Sequence, residues 1–272
     1  LKNLKSDNIM DFNALDEATK IAIKTSDLLI IRNPYVILGI VLIGIFIVFL
    51  VSKMPQSKDE NNFPSIGDTI FALKNNTNYI FGVIAQILYV GAQIMCWTYI
   101  YQYAEAISID AVTAGYYQMI AFILFIIGRA IGTYLLKHTN PGKLLLYFAI
   151  LSIAFIQGTI FITGIVGLYA LVGVSFFMSI MFPTIYGVAL CDLTEEQSKI
   201  GSAGLVMAIV GGALMPKLQG LIIDAGGNGV DDIKILGVSE VNFSFTLPLI
   251  CFLFIAWYGL KVFKNILQKN NV

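Results

Sequence analysis

Apolar positions in this chain do not alternate with polar ones; they gather in long runs separated by short polar clusters. The runs fall at about 35–52, 78–104, 112–136, 143–163, 165–191, 201–223 and 244–263. A bilayer core about 30 Å thick needs about 20 apolar residues in helix, because lipid gives the backbone no other hydrogen-bond partner. Each run meets that length. The pattern therefore predicts an all-α membrane protein of seven transmembrane helices, with a turn near Gly164, since one helix across 143–191 would be twice too long. The stretch 53–76 carries Lys53, Lys58, Asp59, Glu60, Asp68 and Lys74 with Pro55 and Pro64, and reads as a connecting loop with a short surface helix near Ile66–Lys74. The Gly-rich stretch 224–243 reads as a flexible loop without a catalytic role.

Composition sharpens this picture. Apolar residues make up 57% of the 272 positions and charged residues 12%, against roughly 45–50% and 25% in soluble domains. That excludes a soluble enzyme. The 17 basic and 17 acidic residues cancel, so nucleic-acid binding has no electrostatic basis. Cys96, Cys191 and Cys251 have no metal or disulfide spacing and read as small buried hydrophobes. His138 reads as a solvated residue of a short turn. Basic residues favour one set of loops, including Lys53, Lys137, Lys143, Lys199 and Lys264, whereas the opposite loops between later spans hold only Lys234. By the positive-inside rule the C-terminus is expected to be cytoplasmic. Every acidic residue falls outside or at the edge of a span, so no buried carboxylate is expected, and any proton relay would have to come from elsewhere. The chain opens on Leu1 rather than Met and is expected to be a piece of a longer polypeptide.

At 100° per residue, Gln86, Tyr89, Gln93 and Trp97 share one face of the second span. In lipid such amides turn toward other helices or toward water. Two readings stand side by side: interhelical hydrogen bonding, or a cavity wall whose amides meet hydroxyls and whose rings cover the apolar side of a sugar. In the fifth span Ser175, Ser179, Pro183 and Tyr186 align, and Pro183 removes the hydrogen bond to the carbonyl of Ser179. The kink serves either helix contact or a cavity lining. Gly204, Ala208, Gly212, Pro216 and Gly220 recur every fourth residue as a close-approach ridge. Lys217 either snorkels to the interface or faces a cavity. Arg129 either anchors its helix at headgroups or bonds helix C-terminal carbonyls, or a carboxylate such as Asp192, to hold a gate.

Four ordered strings, Tyr89-Val-Gly-Ala-Gln-Ile-Met-Cys-Trp97, Gly128-Arg-Ala-Ile-Gly-Thr133, Phe177-Met-Ser-Ile-Met-Phe-Pro-Thr184 and Val206-Met-Ala-Ile-Val-Gly-Gly212, resemble the fucose permease branch of the major facilitator superfamily. Arg32-Asn-Pro-Tyr35 resembles the entry to helix six of these carriers. The resemblance runs from about Asp27 to Leu260 and implies that the spans are helices six to twelve. It implies the following organisation: 1–34 an extracytoplasmic loop or tail, 35–52 a helix of the N-terminal bundle, 53–76 a cytoplasmic inter-bundle loop, 77–264 the C-terminal six-helix bundle, and 265–272 a cytoplasmic tail. It further implies inverted three-helix repeats, although no repeat is visible in the sequence.

On this resemblance the chain is expected to belong to a sugar:proton symporter of the bacterial inner membrane, working by alternating access without a cofactor. Its protonatable acids would lie in an absent N-terminal half. Gln86, Tyr89, Gln93, Trp97, Phe182 and Tyr186 would bind the sugar, and Arg129 and Pro183 would serve gating. Fucose permeases resemble one another in having Gln-Tyr before the proline, where Met181 and Phe182 stand here. The missing hydroxyl removes one hydrogen bond, about 0.5–1.5 kcal/mol net, and bears on which sugar is carried. A glucose/galactose carrier with other ion coupling, and a non-transporting receptor or scaffold, are the alternative readings; a membrane enzyme lacks a nucleophile, metal cluster or acid pair.

Overall fold

The computed structural model describes residues 16–52, 66–227 and 233–270. Among these residues seven helical stretches are long and apolar enough to cross a membrane: Arg32–Val51, Thr77–Thr98, Ala111–Leu136, Pro141–Phe161, Ile165–Leu190, Glu195–Gly226 and Glu240–Gln268. The chain divides into two units, Leu1–Asn62 and Phe63–Val272.

The first unit contains one helix, α1 (Glu17–Val51). It starts well before the apolar run, so the described part of the expected tail is helical rather than loop. Asp16 caps it by accepting the Thr19 N–H, and Pro34 lies inside it. A proline removes one helical hydrogen bond, which the turns on either side tolerate. Residues 1–15 lie outside the described residues.

The second unit opens with α2 (Ile66–Asn75), the expected short surface helix, which buries Thr69 and Leu73. The rest of the 53–76 connection, 53–65, lies outside the described residues. The second span is α3 (Thr77–Thr98) followed by α4 (Ile100–Ala106), with a bend at Tyr99. The third is α5 (Ala111–Leu136), capped by Asp110, and the fourth is α6 (Pro141–Phe161), capped by Asn140. Gly164, at φ 82°, makes the expected turn into the fifth span. That span is broken into α7 (Ile165–Met178) and α8 (Met181–Leu190). In the sixth, α9 (Glu195–Met207) and α10 (Gly211–Ile223) are joined by a tighter turn at Ala208–Val210. The seventh is α11 (Glu240–Ser244) with α12 (Thr246–Asn270), so most of the expected C-terminal tail is helix.

The spans form two interleaved groups of three. The first helix of each group leaves its own neighbours and enters the other group: α3 packs on α10 and α12, while α7 packs on α5 and α6. Contacts of Gly82 with Ala189 and of Trp97 with Ser175 show that α3 and α7–α8 run antiparallel. This is the inverted-repeat geometry that the resemblance implied.

Helices in lipid gain little by burying apolar side chains against one another, so close approach and hydrogen bonds must hold them. The ridge of α9–α10 supplies the first. Gly204 faces Tyr79, Gly212 faces Val90 and Ile94, and Gly220 faces Tyr99. Tyrosines of the second span supply the second: Tyr79 donates to the Gly201 carbonyl at 3.0 Å, and Tyr99, at the bend, to the Pro216 carbonyl at 2.6 Å.

Three expectations are corrected. Glu240 is a fully buried carboxylate: it accepts the Gly226 N–H at 3.2 Å, held there by the fold of the connecting segment. That segment is not simply flexible, because β1 (Lys234–Ile235) and β2 (Val238–Ser239) pair as a hairpin turning at Leu236 and Gly237; residues 228–232 lie outside the described set. Cys96 and Cys251 are buried, but Cys191 is exposed, since it stands at the C-terminal cap of α8 where the span has ended.

Candidate functional site

Pro183 stands in the first turn of α8 and has no N–H to give to the carbonyl four residues back, that of Ser179. The helix parts there, and its loose carbonyls are taken up by side chains. Arg129 of α5 donates from Nε to the Ser179 carbonyl at 3.2 Å. Tyr89 of α3 donates its hydroxyl to the Met178 carbonyl at 2.9 Å. Within the break Ser179 Oγ donates to the Phe176 carbonyl at 2.7 Å, and Thr184 Oγ1 to the Ile180 carbonyl at 2.8 Å. Gly128 lets α5 come this near, because a Cβ there would collide with the Phe176 carbonyl and Ser179 Oγ. Of the two roles open to Arg129, the structure shows the helix-carbonyl bond. Its guanidinium also lies 5.3 Å over the Phe125 ring.

Around the break lies an aromatic assembly. Trp97 donates from Nε1 to Ser175 Oγ at 3.2 Å and sets its ring edge-on to Phe122 and Phe125, at 4.9 and 5.1 Å between centroids. Tyr89 meets Phe182 at 6.1 Å, and Phe182 stacks on Tyr186 at 6.4 Å with the planes 12° apart.

Exposure divides the expected site residues into two sets. Gln93, Trp97, Phe182 and Tyr186 are half-buried, and Pro183 and Arg129 are exposed. Gln86 and Tyr89 are 0% exposed, which corrects their expected place on an open wall. Both lie inside the bundle, where α3 meets residues of distant helices that a wheel for α3 alone does not include. Tyr89 acts there as an interhelical staple. Gln86 has neither amide atom hydrogen-bonded, an arrangement costly enough in a protein interior to need a reason.

Sequence reasoning missed a second polar cluster. Asn242 donates from Nδ2 to the Thr159 carbonyl at 2.8 Å and to the Tyr103 hydroxyl at 3.3 Å, while Tyr103 itself donates to the Ile162 carbonyl at 3.1 Å. Gln219, fully buried, donates from Nε2 to Ser244 Oγ at 2.9 Å. Asn242 was assigned to loop; the available signal was Ser239 three residues earlier, which caps α11 by accepting the Asn242 N–H. These bonds tie the ends of α4, α6 and α10 to α11.

Comparison with known proteins adds the following. The family model described as Major Facilitator Superfamily matches residues 23–216. An L-fucose-proton symporter of Haemophilus influenzae is 48% identical over 97% of this chain and 61% of its own length. A putative glucose/galactose transporter of Helicobacter pylori is 30% identical over 89% of this chain and 57% of its own. A crystal structure of the Escherichia coli fucose:proton symporter superposes with a TM-score of 0.79 at 28% identity, over 95% of this chain and 61% of that one. The chain thus spans about three fifths of the length of the relatives it matches.

Proposed function

The chain belongs to the Major Facilitator Superfamily, and from that membership we propose that it forms the C-terminal bundle, with one preceding helix, of a bacterial inner-membrane sugar:proton symporter. In this reading a midplane site opens onto the half-buried face of Gln93, Trp97, Phe182 and Tyr186. Gln86 and Tyr89 stand behind that wall, and Arg129 and Pro183 set the state of the α7–α8 break. The observation that carries the proposal is the stack of Phe182 on Tyr186 beside a broken membrane helix, facing α3, whose Tyr89 meets that stack and whose Gln93 and Trp97 are half-buried. Irregular backbone at membrane depth is tolerated where it is enclosed by protein or lines a cavity. Rings cover the C–H side of a sugar, and the amide of Gln93 offers both a donor and an acceptor to hydroxyls.

The coupling acids belong, on this proposal, to a partner bundle outside this chain. Glu240, the fully buried carboxylate among the described residues, sits at a span end against the Gly226 N–H, a position suited to holding the connection. One proton moving down roughly 150 mV supplies about 3.5 kcal/mol, at about 2.3 kcal/mol per 100 mV. That suffices for roughly 300-fold accumulation of sugar. The excess of lysines at one end of the spans supports, in this reading, a cytoplasmic C-terminus.

A fucose-like sugar is the first reading of the substrate, supported by likeness to the fucose-proton symporter. Phe182, which lacks the hydroxyl of the fucose-branch tyrosine, favours a glucose- or galactose-type hexose as the second. Counterflow of labelled fucose, galactose and glucose by the complete transporter tests both. Fucose counterflow, slowed in Gln93→Ala and Trp97→Ala, supports the first reading; counterflow of hexoses alone transfers support to the second. Parental rates in both variants remove the assigned wall.

A further inference from the structure

The interface between α6 and α12 is the most extensive between any two helices of the bundle, and glycines bring its backbones together. A Cβ on Gly142 would strike the Phe263 backbone and Val262, and one on Gly259 would press on the backbone of Leu146. The pairs Gly142–Phe263 and Leu146–Gly259 show that the two helices run antiparallel. In an antiparallel pair the residues one step further on, turned by 100° along each chain, point to the same side of the seam. Those residues are Lys143 and Tyr147 on α6, and Leu260 and Lys264 on α12. Lys143 and Lys264 are therefore at the same level and flank one shallow furrow.

Both lysines are available to an anion. Neither has a carboxylate within ion-pair distance among the described residues, whereas Lys199 is paired with Glu195 at 3.4 Å. Lys143 lies 5.8 Å from the ring centre of the exposed Tyr147. Lys261, nearby on α12, is turned away toward α3, where its ammonium sits 4.0 Å from the ring centre of Phe81. The N–H groups at the start of α6 are engaged by the Asn140 side chain, which accepts from Gly142 and Lys143. An anion at this place must be held by the two ammonium groups. Away from the lysines the furrow continues along exposed apolar side chains, Ile150 on α6 and Leu253 on α12, which suits acyl chains and not a soluble anion.

We propose that this seam binds an anionic phospholipid, with its phosphate between Lys143 and Lys264, its glycerol region beside Tyr147, and its chains lying along the furrow. Basic groups set between membrane helices at a headgroup interface are the chemistry that selects acidic lipids. The site is on the rim of the bundle and does not depend on the proposed sugar reading.

The test uses the complete transporter, purified and delipidated, with phosphatidylglycerol or phosphatidylcholine added back, read by native mass spectrometry and by thermal unfolding. The expected result is retained phosphatidylglycerol and a higher Tm than with phosphatidylcholine. Both effects should fall at least severalfold in Lys143→Gln/Lys264→Gln and persist in Lys199→Gln. Equal retention and equal Tm with the two lipids in the unmodified protein overturn the proposal, whatever the variants do. So does undiminished phosphatidylglycerol retention in the double variant. Inorganic phosphate alone should give no shift in Tm; a shift equal to that of the lipid would assign the two lysines to a soluble anion and overturn the lipid as occupant.

Discussion

Arg129 donates to the carbonyl of Ser179 at 3.2 Å, and Ser179 is the residue whose helical partner would be the N–H that Pro183 lacks. The side chain of α5 thus stands in for a missing backbone donor of α8. A hydrogen bond from a charged group contributes about 1.5–3 kcal/mol.

The pair can be tested as a cycle. Arg129→Ala should destabilise the protein by about 1.5–3 kcal/mol. In a Pro183→Ala background the restored N–H takes over the Ser179 carbonyl, so the same Arg129→Ala change should do less harm. The expected coupling is about 0.5–3 kcal/mol, read from thermal or denaturant unfolding of the four proteins. Strict additivity would mean that the Arg129–Ser179 bond does not substitute for the proline.

Gln86 carries the opposite signature. Its amide is fully buried with no partner on either atom, a condition that costs about 1–3 kcal/mol for each unsatisfied group. Gln86→Met should therefore leave thermal stability unchanged or raise it. Sugar uptake should fall, because an amide kept at such cost is expected to find its partners in another state of the transport cycle. A lower Tm in Gln86→Met would instead show that the amide is satisfied here, by an ordered water.

The lengths of the apolar runs made the seven spans legible, and Pro183 marked where the fifth would part. Other features depend on neighbours distant in the chain. Tyr99 bends the second span without Pro or Gly, and its hydroxyl reaches the Pro216 carbonyl at 2.6 Å, a partner no local pattern names. Gln86 and Gln93 share a wheel position, yet one is sealed and the other half-buried, because α3 is enclosed differently along its length. Glu240 follows a Gly-rich stretch and falls outside the expected span; the end of the sixth span closes on its carboxylate through the Gly226 N–H. A periodicity reports which residues share a face of their own helix, and the opposing surface then decides whether that face is wall, staple or opening.

Asp110 offers a pH test away from the membrane interior. It caps α5 by accepting from the N–H groups of Val112 and Thr113 and from Thr113 Oγ1 at 2.7 Å. These bonds, that of the Thr113 side chain foremost, hold its carboxyl below the ordinary 3.8. A depressed folded-state value stabilises the protein at pH above the unfolded value, and the contribution is lost as pH falls through the folded one. The stability gap between parent and Asp110→Ala should be constant near neutrality and close below pH 3.8. A gap that widens on acidification would contradict the assignment.

Tyr89 and Gln93 separate structure from recognition within one turn of α3. The Tyr89 hydroxyl is committed to the Met178 carbonyl, and its ring supports Phe182 from behind at 6.1 Å. Tyr89→Phe removes the hydroxyl and leaves the ring, so stability should drop by about 0.5–1.5 kcal/mol while sugar affinity stays near the parental value. Gln93 is half-buried, and its amide is proposed to meet the sugar directly. Gln93→Ala should weaken sugar binding by up to about tenfold, the equivalent of one or two net hydrogen bonds, with little change in Tm. Equilibrium sugar binding and unfolding measured on both variants decide between the two roles. If Tyr89→Phe loses affinity and Gln93→Ala does not, the sugar lies deeper in the bundle than proposed, on the Gln86–Tyr89 side of the wall.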